Sequence, residues 1–265
     1  MRAENQSLDG VSKYLNGSFE KISGWCIPQL WNVIQPIHEF QEKIGCRQPV
    51  AEIGVFHGKF LIGLIHTKRS YGKHLAIDVF DLQKFNLDGA GKGSLEKLRE
   101  NIKLAEIDDG EVYFKRADSM ALTIEEISEI RKLSNGGFSM FSVDGCHMVE
   151  HTINDFRIAM QLTCPEGVIF VDDYLNMDWP GVHEGMVKLF LTDNPRFVPL
   201  AYLGNKLILC HISYHSDFLR HVMSFLNEFY PAQRKKQVRR FGYDSINVHA
   251  NYSKKDYISQ RTVKS

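Results

Sequence analysis

Acidic residues recur along this sequence in one setting: they sit on short apolar runs. Glu52 lies in Val50-Ala51-Glu52-Ile53, and Asp78 closes His74-Leu75-Ala76-Ile77. Asp144 follows Phe138–Val143, and Asp172-Asp173 follow Val168-Ile169-Phe170-Val171. Asp118-Ser119 comes just after a further run, Glu111 to Lys115. A single acid in such a place commonly caps the next helix by accepting a backbone N–H. A shared position at one edge of a sheet means more, because ligands of open α/β sheets bind outside the carboxyl ends of the strands.

Each position suits a distinct task. Glu52-Ile53-Gly54-Val55-Phe56-His57-Gly58 sets an acid before two glycines. Those glycines allow a tight turn and a close ligand approach to a helix start. The G-x-G-x-x-G spacing of a dinucleotide site is missing, which weakens an NAD-linked oxidoreductase. Asp78 suits two ribose hydroxyls. Asp118 and Ser119 either read an adenine edge or cap the helix that begins near Glu125.

Asp144, Asp172 and Asp173 carry the reaction chemistry in this reading. If their two strands are neighbours, the strand ends lie about 5 Å apart. Carboxylates that close repel one another and raise at least one pKa, unless a cation sits between them. A hard divalent ion such as Mg²⁺ prefers oxygen ligands and would lower the pKa of a bound substrate hydroxyl. The alternative is a pair of unrelated turns, since Asp-Gly and Asp-Asp are ordinary turn chemistry. His147, three residues after Asp144, titrates near neutrality and is the candidate general base.

The elements that must position these residues follow from periodicity. Apolar runs at 50–55, 74–79, 111–115, 138–143 and 168–171 read as strands. Amphipathic segments separate them, such as the one with Leu95, Leu98, Ile102 and Ala105 on one stripe. That alternation predicts parallel pairing with right-handed crossovers. Phe197–Leu203 and Leu207–Ile212 flank Gly204-Asn205-Lys206, too short for a helix, so the sheet ends in a hairpin. The expected fold is a Rossmann-like, doubly wound, mostly parallel seven-stranded sheet ending in an antiparallel hairpin.

The division expected is an N-terminal helical extension or lid at 1–46, a core at 47–213 and a C-terminal helical extension at 214–265. In the first of these, Pro36 should interrupt a helix carrying Trp31, Ile34, Ile37 and Phe40. The glycine-rich stretch 82–93 reads as a mobile loop near the site. The basic run Arg234–Arg240 reads as a solvated face.

Bulk composition narrows the classes. Lys plus Arg (32) equals Asp plus Glu (32), so no global field points to nucleic acid or an anionic membrane. The N-terminus lacks a secretion-signal pattern, and no apolar run approaches the ~18 residues of a membrane span. Five scattered cysteines without a C-x-x-C pair fit free thiols in the cytoplasm. The N-terminal helices and Phe218–Tyr230 are the segments offered for a homodimer interface.

Taken in order, V-A-E-I-G-V-F-H-G, V-D-G-C-H and V-I-F-V-D-D-Y resemble class I S-adenosylmethionine-dependent methyltransferases. The sequence is most similar to metal-dependent O-methyltransferases of the macrocin (TylF-like) type and the related DGxH…DDY group, over about 48–212. The resemblance implies a cofactor site at Glu52, Gly54, Gly58, Asp78 and Asp118 and a Mg²⁺-type metal site at Asp144, Asp172 and Asp173. It implies a small-molecule hydroxyl, on a sugar or natural product, as acceptor. Catechol-type relatives carry a lysine base at the position of His147, and macrocin-type ones an acid at that of Cys146.

Two other readings compete. His147-Met148-Val149-Glu150-His151 spells H-x-x-E-H, a zinc-peptidase pattern that needs both histidines on one helical face. A nucleotide-binding protein without catalysis would keep the glycine turn and lose the acidic chemistry. Tyr174 and Trp179 follow the last acidic pair; they either shape a substrate pocket or pack the core.

Overall fold

The computed structural model describes residues 10–68 and 72–250. The chain enters through helix α1 (10–16) and α2 (Trp31–Lys43), then alternates strand and helix. The alternating part is β1 (Val50–Ile53), α3 (Lys59–Thr67), β2 (His74–Asp78), α4 (Leu95–Leu104), β3 (Val112–Arg116) and α5 (Ile124–Leu133). It continues with β4 (Phe138–Val143), α6 (Val149–Leu162), β5 (Thr163–Val171) and α7 (Pro180–Thr192). Then come β6 (Phe197–Leu203), β7 (Lys206–His211), α8 (His215–Phe229), β8 (Lys235–Arg240) and β9 (Tyr243–Val248).

All nine strands join one sheet in the order β3-β2-β1-β4-β5-β7-β6-β9-β8. The first five pair in parallel, and β7 pairs antiparallel with both β5 and β6. Strand order reverses between β1 and β4, the place where such sheets open a ligand crevice. The Rossmann-like architecture and its closing hairpin are thus as expected; the strand count is nine where seven were expected.

The two extra strands lie in the C-terminal extension, where only helix was expected. Beyond α8, Phe241 and Gly242 both take positive φ, the twist a two-residue hairpin turn requires. The basic run is strand β8, at the edge of the sheet, where lysines and arginines discourage pairing with another chain.

Alternation along each central strand feeds two cores. On β5, Val168 and Phe170 join the core that holds Trp31, Phe60 and Phe218, whereas Ile169 and Val171 join the one with Phe156 and Leu189. A sheet covered on both faces needs apolar residues at every position, which is why these strands read as continuous runs. Pro36 does not interrupt its helix: α2 runs through it. The proline forfeits one backbone bond at a cost of about 3 kcal/mol. Burying Trp31, Val33, Ile34 and Ile37 at roughly 1.5–3 kcal/mol each outweighs that loss.

The surfaces offered for dimerisation partly cover each other, since Phe40 of α2 meets Phe218 of α8 with ring centroids 4.6 Å apart. All five cysteines are free thiols. Among the described residues, no helix is long and apolar enough to cross a membrane.

Candidate active site

A cavity of about 1250 Å³ opens at the carboxyl ends of β1, β2, β4 and β5. Gly54, Asp78, Asp118, Ser119, Asp144, His147, Asp172 and Asp173 all line it. Glu52 and Gly58 do not, which corrects the expectation that they face a cofactor.

Glu52 points under the floor. It is 2% exposed, and burial pushes its pKa up to about 8 against the pull of the Lys206 ammonium. Gly58 takes φ 85° at the start of α3, and a Cβ there would come within 2.4 Å of Leu98 Cδ1. A valine at Gly58 would therefore damage the packing of α4 against α3 and would not plug the cavity.

Gly54 has a tighter reason to be glycine. Its φ is 80°, and a Cβ would lie 1.7 Å from the Asp144 carbonyl oxygen, so β1 and β4 approach at the limit of backbone contact. Gly54→Ala is expected to destabilise the fold by about 3 kcal/mol or more, the sum of left-handed strain and overpacking. Gly45→Ala is the control: φ is also 80° but nothing lies within 4 Å, so only ~1 kcal/mol is expected. Urea unfolding of the two variants measures the difference.

The β1–β2–β3 side forms one lobe of the cavity. Asp78 accepts from the Phe56 N–H at 2.8 Å and the Phe80 N–H at 2.6 Å, and burial raises its pKa. Each oxygen keeps lone-pair capacity for a further donor. Asp118 caps a short helical turn through the Met120 N–H at 2.9 Å, so its capping role is real even though it also lines the cavity. Ser119 lies near the buried carboxyl of Asp155 on α6, whose pKa burial raises to about 6.

The other lobe is built on β4 and β5. Val143 pairs with Val171, so Asp144 and Asp172 leave adjacent strands side by side. Asp172 turns down onto Lys206, the first residue of β7, whose side chain is 1% exposed and whose ammonium also lies 3.9 Å from Asp144 Oδ2. Burial alone would lower the Lys206 pKa, but the two carboxylates outweigh it and raise it. Asp144 is pushed well above the usual carboxylate range by burial and by Asp172. The mutual repulsion expected of these carboxylates is present, and a lysine sits between two of them.

Asp173 departs the other way. Its φ of 54° swings the side chain toward the cavity, where Asn176 donates to Oδ1 at 2.8 Å and Asn205 adds a second bond. Its Oδ2 lies 3.1 Å from His147 Nε2, which is 4.0 Å from Asp144 Oδ1. The opposite ring nitrogen, Nδ1, lies 2.7 Å from Asp88 Oδ2, and Trp179 stacks on the ring with centroids 4.3 Å apart. Burial pulls the His147 pKa down, but hydrogen bonds to Asp173 and Asp88 outweigh it and push it up to about 10. Asp88 falls to about 2 because its bonds to His147 outweigh its own burial.

Asp144, His147 and Asp173 offer ligand atoms all within 4.8 Å of one another. Asp172 is committed to Lys206, so the three-aspartate set does not converge as expected. A cation fits on the cavity side, with Lys206 as the counter-charge beneath.

Asp88, Lys206 and Asn205 were missed as partners of the site, whereas Trp179, read from sequence as pocket or core, lines the cavity and stacks on His147. Lys206 carried a signal, as a charge opening the apolar run Leu207-Ile208-Leu209. Asp88 carried none, since it lies in the glycine-rich stretch 82–93. Asp88 ties that stretch to His147 across the mouth, and Asn86 braces it internally by donating to the carbonyls of Ala90 and Gly91. The H-x-x-E-H pattern has no helical face to act from: α6 begins at Val149, after His147, and Glu150 points outward to Lys188.

Residues 51–174 match the family model of a methyltransferase domain. No curated protein matches the chain in sequence. Among solved structures, the O-methyltransferase NovP is similar at a TM-score of 0.52 and 15% identity, over 69% of this chain and 79% of that one. CalS11, a TDP-rhamnose 3′-O-methyltransferase of calicheamicin biosynthesis, gives 0.50 at 12% identity over 79% and 93%. An O-methyltransferase from Bacillus cereus, in complex with SAH, gives 0.48 at 16% identity over 76% and 89%. At such identities the likeness is one of fold. Fold and family model agree over the matched stretch, which is just under half of the chain.

Proposed function

We propose that the chain transfers the methyl group of S-adenosylmethionine to a hydroxyl of a small molecule, a sugar or other natural product, with the help of a divalent cation such as Mg²⁺. The observation that carries this reading is the meeting of Asp144, His147 and Asp173 in the same cavity as Gly54 and Asp78. The O-methyltransferases NovP and CalS11 share the fold, and CalS11, which acts on TDP-rhamnose, supports a sugar as the class of acceptor.

Roles follow from position. Asp78 takes the ribose hydroxyls, and Asp118 and Ser119 face the adenine. Asp144 and Asp173 supply the oxygen ligands that Mg²⁺ prefers, with open positions left for water and an acceptor oxygen. A cation held there would lower the pKa of an acceptor hydroxyl and orient it. His147 Nε2 takes the hydroxyl proton, while Asp88 on Nδ1 fixes the ring and its tautomer. A base must be neutral, and in the site without a cation two carboxylates hold the imidazole protonated. A cation held by Asp144 and Asp173 would cancel part of that field and favour the neutral ring.

Incubation with methyl-labelled S-adenosylmethionine and a panel of sugar, nucleotide-sugar and phenolic acceptors tests the reading. Formation of S-adenosylhomocysteine that depends on Mg²⁺ and stops with chelator is expected. Tight S-adenosylhomocysteine binding without turnover on any acceptor would favour the non-catalytic alternative. Stoichiometric zinc with peptidase activity would overturn the assignment.

A further inference from the structure

Lys59, the first residue of α3, projects its side chain into the cavity wall. Its ammonium lies 4.2 Å from the centroid of the Phe19 ring. Among the described residues, it makes no hydrogen bond and no ion pair within 4.0 Å, although Glu20 is close enough to be felt. Gly24 passes close along its stem, where a Cβ would come within 3.0 Å of Lys59 Cβ, and Tyr14 donates to its carbonyl at 2.6 Å. The N-terminal segment therefore holds this cation in place against an aromatic face. A half-buried ammonium without an anion forgoes the charge-assisted bonds that normally offset its desolvation.

The direction of the cofactor says which anion arrives. With Ser119 after β3 facing the adenine and Asp78 on β2 facing the ribose, the nucleoside runs along the sheet edge from β3 toward β1. The sulfur then lies near Gly54 and Asp144, at the β1–β4 crevice. What remains of the cofactor beyond sulfur is an amino-acid tail ending in a carboxylate. Lys59, five residues beyond Gly54 and on the wall of the same cavity, is a half-buried cation with no anionic partner among the described residues, whereas Lys21 on that side is exposed.

We infer that Lys59 is the carboxylate anchor of this site and binds the α-carboxylate of the methionyl tail of the cofactor. The inference rests on the S-adenosylmethionine reading above and adds a residue that none of the sequence motifs includes. Its role is to position the sulfonium against the acceptor oxygen, so the ammonium moves no proton and forms no covalent bond.

The test compares two ligands that share the nucleoside and the thioether. S-adenosylhomocysteine carries the carboxylate, and 5′-methylthioadenosine lacks the whole amino-acid end. Calorimetric titration of Lys59→Met is expected to show affinity for S-adenosylhomocysteine weakened about tenfold to a hundredfold, the range for a hydrogen bond to a charged group. Affinity for 5′-methylthioadenosine should stay within about twofold of wild type, and Lys59→Arg should recover most of the loss. Equal weakening of both ligands would mean that the cavity wall is damaged, and the anchor role would be wrong. Unchanged affinity for both would assign the ammonium to an acceptor anion and equally overturn it. Wild-type protein that binds neither ligand would sink the cofactor reading itself, a result separable from any failure of Lys59 alone.

Discussion

Lys206→Met is expected to lower the unfolding free energy by about 3–5 kcal/mol, as measured by urea denaturation, because it strands buried carboxylate charge. The ammonium is 1% exposed, bonds to Asp172, lies 3.9 Å from Asp144 and sits 4.4 Å from the centroid of the Phe60 ring. Asp172 is itself nearly buried, so its carboxylate gains no water when the lysine leaves. Replacing a buried ion pair by neutral groups of similar size is far less costly than removing one partner. The double variant Lys206→Met/Asp172→Asn should therefore be more stable than Lys206→Met alone. If the two losses add, the residues are not coupled and the counter-charge account of β7 is wrong.

The second large effect concerns catalysis. His147→Ala should cut kcat about 10²- to 10⁴-fold, the range for loss of a positioned general base. Affinity for S-adenosylhomocysteine should stay within about twofold, because the ring faces Asp173 and Asp88 and not the β2–β3 lobe. Asp88→Asn tests the positioning role separately. It keeps the shape of the side chain and weakens the bond to Nδ1, so a smaller loss of about 10- to 100-fold is expected, as for outer-shell partners of histidine ligands. The residual activity of Asp88→Asn should show a shifted pH profile, since the carboxylate that raises the His147 pKa is gone. A His147→Ala variant that loses cofactor affinity as much as turnover would place the ring in binding and remove it from proton transfer.

Much of the fold was legible because its physics is repetitive. Strands buried on both faces must be apolar throughout, so 138–143 and 168–171 stood out, and each acid that followed marked a strand end. The closing hairpin was readable because Gly204-Asn205-Lys206 leaves no room for a crossover. The last two strands were not readable: Lys235–Arg240 sits at a solvated edge, where nothing forces a run of apolar residues. Pro36 misled because local propensity was weighed without the burial of Trp31 and Ile34.

At the site, sequence could place acids at strand ends but not aim their side chains. Asp172 and Asp173 are neighbours in the chain, yet one turns down to Lys206 and the other up to His147, a divergence set by the left-handed backbone at Asp173. The motif glycines likewise gave position without purpose. Gly54 is required by the Asp144 carbonyl and Gly58 by Leu98, neither of which a spacing pattern records.

A crystal structure of the complex with S-adenosylhomocysteine and Mn²⁺, an anomalous scatterer in place of Mg²⁺, addresses the central claim most directly. The account predicts one Mn²⁺ peak against Asp144 and Asp173, adenosine running from Ser119 past Asp78, and Asp172 still bonded to Lys206. An ion seated on Asp172 with Lys206 displaced, or a cofactor lying away from Gly54, would contradict it.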